Sequence, residues 1–173
     1  MGGEGLHEAL VRKGVADRKL ADYVVVGEGP GLDYASLTTG INLLLEQGAL
    51  LVSTNPDATV DATRDGRRIV LPGGGALVAP FEIATGRKAI VIGKPQPLLF
   101  EMAMQRLGAR PADCIMIGDR PDTDILGAQR VGMRTALVRT GRFAPGEALP
   151  AGVAPPDWDV PSLAELEHCM NDW

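Results

Sequence analysis

The run IMIGDRPDTDI, residues 115–125, decides the fold class. It opens with three apolar residues of the kind a buried strand requires, and Gly118 closes them. Two acids follow at Asp119 and Asp124, and Thr123 stands where it would cap a helix beginning near Ile125. A strand that passes through a polar turn into a helix is the building unit of an α/β sheet with crossover helices. In such sheets ligands bind beyond the carboxyl ends of the strands, which is where Asp119 falls.

The same alternation extends in both directions. Upstream, Ala89–Ile92 reads as a strand ending at Gly93-Lys94-Pro95, and 97–107 carries apolar residues at helical spacing up to Gly108. Earlier still, Tyr23–Val26 reads as a strand. Asp33 then caps a helix running to Glu46 with Gly48 behind it, and Ala49–Ser53 forms another strand. Residues 54–75, rich in Asn, Asp, Pro and Gly, read as turns, followed by a helix over 76–84 that Gly86 ends. Downstream, Thr135–Val138 is a strand, and a Pro-rich loop and a short helix finish the chain. A composition shift at residues 84–88 divides the chain into 1–88 and 89–173.

Lys94 and Asp119 close two successive strands, and Asp124 follows Asp119 by five residues. Hard carboxylate oxygens beside a compact ammonium suit magnesium and a phosphate group. Each residue alone would read as a solvated turn residue; the three together favour a site. The net charge of −5 argues against a broad nucleic-acid face, because phosphate backbones are held mainly by Lys and Arg. No apolar run approaches the ~18 residues of a membrane span, and residues 1–10 lack the pattern of a signal peptide, so a cytoplasmic location is expected. Cys114 and Cys169 offer neither a disulfide framework nor a zinc pattern and read as reduced thiols.

Two segments, IVIGKPQPLLFEMAMQRLG (90–108) and CIMIGDRPDTDILGAQRVGMRTALVRTG (114–141), resemble the later part of the haloacid dehalogenase (HAD) superfamily, in its NagD-like, p-nitrophenylphosphatase-type subfamily IIA. VVVGEGPGLDYASL (24–37), LLVSTNPDATV (50–60) and LPGGGALVAPFEIATGRK (71–88) resemble the cap domain of that subfamily in order and spacing. The resemblance implies an α/β fold: the C-terminal half of a Rossmann-like parallel-sheet core, with a partial cap at 1–88. It implies that Lys94 neutralises a bound phosphoryl group, that Asp119 ligates magnesium and that Asp124 is the second acid of GDxxxTD. It places Asn55 and Asp57 in a cap segment facing substrate. The partner implied is a small phosphorylated metabolite.

Members of that subfamily begin with a strand ending in DxDG, whose first aspartate attacks phosphorus, and no such strand is legible in this sequence. Asp122-Thr123-Asp124 belongs to the later motif, and Asp157-Trp158-Asp159 follows two prolines. The expectation is therefore a phosphatase by lineage, N-terminally truncated and inactive as this isolated chain. The alternative is a non-catalytic remnant that binds phosphorylated ligands or serves as an interaction module. Without its neighbour, the strand at 114–117 would form a bare edge inviting a homo-oligomer or a covering segment. VVVGEGPG (24–31) does not match GxGxxG, and Pro30 removes an amide that a dinucleotide phosphate would need. IVIGKPQ (90–96) lacks the upstream glycine and following Ser/Thr of a P-loop.

Overall fold

The computed structural model describes residues 1–15 and 20–170, and these divide into two compact units, Met1–Gly93 and Lys94 onward. In the first unit, helix α1 (Glu4–Arg12) precedes strand β1 (Tyr23–Val26), helix α2 (Tyr34–Glu46) and strand β2 (Leu50–Ser53). Strands β3 (Thr59–Arg64) and β4 (Arg67–Pro72), helix α3 (Gly74–Thr85) and strand β5 (Ile90–Val91) complete it. Strands β1, β2 and β5 form a parallel sheet in that order, and β3 and β4 form a separate antiparallel hairpin.

Helix α2 forms because Asp33 accepts a bond from the Ser36 amide at 2.8 Å while the Ser36 hydroxyl accepts one from the Asp33 amide at 2.8 Å. Two of the donors orphaned at a helix start are thereby satisfied. That bond from Ser36 also lowers the pKa of Asp33. Leu44 of α2 and Phe81 of α3 are fully buried against Val24, Val26 and Leu51 of the sheet. Gly40 is required there, since a Cβ would lie 2.6 Å from Phe81 Cε1.

The stretch expected to be turns contains the β3–β4 hairpin. Its tip is Asp65-Gly66, with φ of 52° and 73°, the left-handed pair that matches the twist of a two-residue hairpin. Asp-Gly is the sequence signal for that turn, and the surrounding Asn, Pro and Gly residues obscured it. Strand β5 pairs with β2, through Val52 opposite Ile90, so it joins the first unit although the expected boundary at 88/89 placed it in the second.

In the second unit, helix α4 (Leu98–Leu107) is followed by a 3₁₀ turn at Pro111–Asp113, strand β6 (Ile115–Gly118) and a π-helical turn at Pro121–Ile125. Helix α5 (Leu126–Arg130), strands β7 (Arg134–Val138) and β8 (Trp158–Val160) and helix α6 (Leu163–Met170) follow. The sheet is parallel, in the order β6-β7-β8. Strand β8, which the sequence reading left as loop, pairs Val160 with Val138 and packs with Ala136 and Leu166. Strand β6 has β7 on one side and no other strand of this sheet among the described residues. Helix α4 buries Phe100 and Met104 but exposes Leu98, Leu99, Met102 and Leu107. Among the described residues, no helix is long and apolar enough to cross a membrane. Both cysteines are free thiols.

Candidate active site

The site grows from the end of β6. Gly118 is the last strand residue, Asp119 follows it, and the chain enters the π-helical turn at Pro121. The wide turn sets Asp124 beneath the strand end: its amide donates to the Arg120 carbonyl at 2.8 Å, and its Oδ2 accepts from the Arg120 amide at 3.2 Å. Asp124 thus closes the turn with its own backbone and side chain. Thr123 does not cap α5 as expected; it is buried, and helical geometry already begins at Pro121. Gly118 permits the arrangement, because a Cβ there would stand 2.5 Å from Asp124 Cβ.

Lys94 Nζ donates to Asp124 Oδ1 at 2.6 Å. The Asp124 side chain is 5% exposed and that of Lys94 is 45% exposed. Both carboxylate oxygens of Asp124 are therefore engaged, one by charge and one by a backbone amide. Burying a carboxylate is costly unless it is paired and hydrogen-bonded, and here it is both. Lys94 meets Asp124, although β5 and β6, the strands that Lys94 and Asp119 follow, belong to different sheets. Lys94 and Asp124 both belong to the second unit.

Asp119 is held differently. Its Oδ2 accepts from the Arg142 amide at 3.1 Å, and its Oδ1 makes no hydrogen bond among the described residues. A hard divalent ion such as magnesium would take the Asp119 carboxylate as one oxygen ligand. Asp124 would orient the surroundings rather than ligate, its oxygens being committed to Lys94 and Arg120. Among the described residues, no group of three or more His, Cys, Asp or Glu side chains is gathered into a metal cluster.

Asn55 and Asp57 lie in the first unit, after β2. Asn55 Oδ1 accepts from the amides of Asp57 at 3.1 Å and Gly74 at 3.2 Å, and its Nδ2 donates to Glu28 Oε1 at 2.8 Å. The side chain therefore braces the start of α3 against the turn after β2. The glycines at 73–75 fit the same bracket, with Gly73 approaching Asp57 and Gly75 approaching Pro56.

Sequence reasoning overlooked the segment after β7. Arg139 forks onto Asp159, Nε to Oδ1 at 2.6 Å and Nη2 to Oδ2 at 2.7 Å. That pairing holds the Asp159 carboxyl below its ordinary range and raises the Arg139 guanidinium. An isolated arginine twenty residues from its acid gives no local pattern to read.

A HAD-hydrolase-like family model matches residues 91–166. The chain is 34% identical over 168 residues to the acid sugar phosphatase of Staphylococcus saprophyticus, an alignment covering 96% of this chain and 62% of that protein. Among solved structures, a thermostable NPPase single mutant from Geobacillus stearothermophilus superposes with a TM-score of 0.82 at 34% identity, covering 100% of this chain and 64% of that one. NagD from E. coli gives a TM-score of 0.78 at 29% identity, covering 95% and 63%. The chain thus spans less than two thirds of the length of these relatives. Family model, relatives and structural neighbours agree with one another: the chain belongs to the HAD-like hydrolases, and its structural neighbours include NagD and p-nitrophenyl phosphatases.

Proposed function

We propose that the chain carries the charge-stabilising part of a magnesium-dependent phosphatase site acting on a small phosphomonoester. The observation that carries this is the Lys94–Asp124 pair at 2.6 Å, with Asp124 five residues along the chain from Asp119, whose Oδ1 makes no hydrogen bond among the described residues. Phosphoryl transfer places negative charge on the equatorial oxygens of the transferring group, and preorganised cations lower that barrier. Asp124 fixes Lys94 in place, and the half-exposed ammonium can turn one of its protons toward a phosphoryl oxygen. Asp119 would hold magnesium, which when bound neutralises phosphate charge and orients the ester. Attack on phosphorus needs a further carboxylate, which we assign to residues outside this sequence. Sugar phosphates are the first compounds to test, since curated relatives are named acid sugar phosphatases.

The chain is tested with p-nitrophenyl phosphate and with inorganic phosphate at millimolar magnesium. The expected result is no turnover, with magnesium-dependent phosphate binding that Asp119→Ala and Lys94→Ala each remove. Turnover that survives Asp119→Ala would overturn the assignment. Were a longer form of the protein also to bind phosphate without hydrolysing esters, the site would be a phospho-ligand-binding module.

A further inference from the structure

The connection after β7 is folded back on one side chain. Besides its fork onto Asp159, Arg139 donates from Nη1 to the carbonyls of Ala144 at 2.7 Å and Glu147 at 3.2 Å. Its guanidinium carbon stands 4.9 Å from the centre of the Phe143 ring, within cation–π range. The anchor is seated on β8 through Asp159, so residues 140–147 form a tethered loop.

Two atoms of that loop meet Asp119. The Arg142 amide donates to Oδ2 at 3.1 Å. Gly141 approaches so closely that a Cβ would overlap the Asp119 carboxylate and stand 2.6 Å from Asp119 Cβ. Gly141 is not among the residues with left-handed φ, so its backbone does not itself call for glycine. The steric demand at this position comes from Asp119.

We propose that Gly141 and the Arg142 amide, tethered by the Arg139–Asp159 fork, are positioning elements for Asp119. They hold Oδ2 against the loop and turn Oδ1 outward to a divalent cation. Neither need touch the cation or the phosphoryl group. The cation half of this inference rests on the function proposed above; the steric half stands without it.

The experiment is a stability cycle on Gly141→Ala, Asp119→Gly and the double variant, joined to manganese titration followed by the electron paramagnetic resonance of the free ion. Gly141→Ala is expected to lower Tm in the native background and to leave it unchanged in the Asp119→Gly background, which removes the Asp119 Cβ as well as the carboxylate. If Gly141→Ala alone fails to fold, a folded double variant gives the same answer. Gly141→Ala, or Arg139→Lys where the alanine does not fold, is expected to weaken manganese binding at least tenfold. Equal Tm shifts in both backgrounds, or unchanged manganese affinity in the folded variant, overturns the proposal. A native chain that binds no manganese instead sinks the magnesium site itself, and the stability cycle still decides the steric role of the loop.

Discussion

Lys94 and Asp124 form an asymmetric pair: 2.6 Å apart, with the acid almost sealed and the base half open to solvent. The acid therefore depends on the base more than the reverse. Lys94→Met leaves Asp124 buried with the Arg120 amide as its remaining partner, which is expected to cost about 1–3 kcal/mol. Asp124→Asn retains a side-chain oxygen to accept that amide bond and removes the buried charge, so its loss should be smaller. Urea unfolding of the two variants checks the order.

Gly118 makes a sharper demand. Its missing side chain leaves room for the Asp124 Cβ, so Gly118→Ala overpacks the base of the site. A loss of about 1–3 kcal/mol is expected from such crowding. Thermal unfolding measures it, and the loss should be smaller in an Asp124→Gly background, where the opposing Cβ is gone.

The Arg139–Asp159 fork makes stability depend on acid pH in a defined direction. The folded Asp159 carboxyl lies below its ordinary value of 3.8, mainly because Arg139 donates to it. A lowered folded value means stability that is fully present above 3.8 and is lost as pH falls through the folded value. Asp159→Asn should therefore be less stable than the native chain at neutral pH, and the gap should close in strong acid. Acid titrations of unfolding free energy for both proteins test it.

Each unit has its own core, so damage should stay local. Phe81→Ala in the first unit removes a fully buried ring and is expected to cost about 3–5 kcal/mol there. Leu137→Ala does the corresponding damage to the second sheet, at about 2–5 kcal/mol. Amide exchange should lose protection around α2 and α3 in the first case and around β6 to β8 in the second.

Local signals were readable and long-range ones were not. The α2 boundaries followed from Asp33 and Gly48, and the end of α4 from Gly108, because capping is chemistry between near neighbours. The approach of Lys94 to Asp124 was anticipated from a motif resemblance, while its geometry depends on a π-helical turn that no spacing rule announced. The assignment of β5 to the first sheet depends on its pairing with Val52 and Ser53, some forty residues earlier. Gly141 carried no local signal; its reason is a carboxylate twenty-two residues upstream. Asn55 makes three hydrogen bonds that hold the turn after β2 to Glu28 and to the start of α3, contacts too distant in sequence for local reading to find.

The β3–β4 hairpin has a practical use of its own. Its register is fixed by six cross-strand pairs and its reversal by two left-handed residues, Asp65 and Gly66, both exposed. A loop tip closed by its own ladder tolerates added sequence, because the entropy of a longer loop grows slowly with its length. Asp65-Gly66 is therefore a splice point where an affinity tag or fluorescent reporter can be inserted while the parallel sheet and the Lys94–Asp124 pair keep their own contacts.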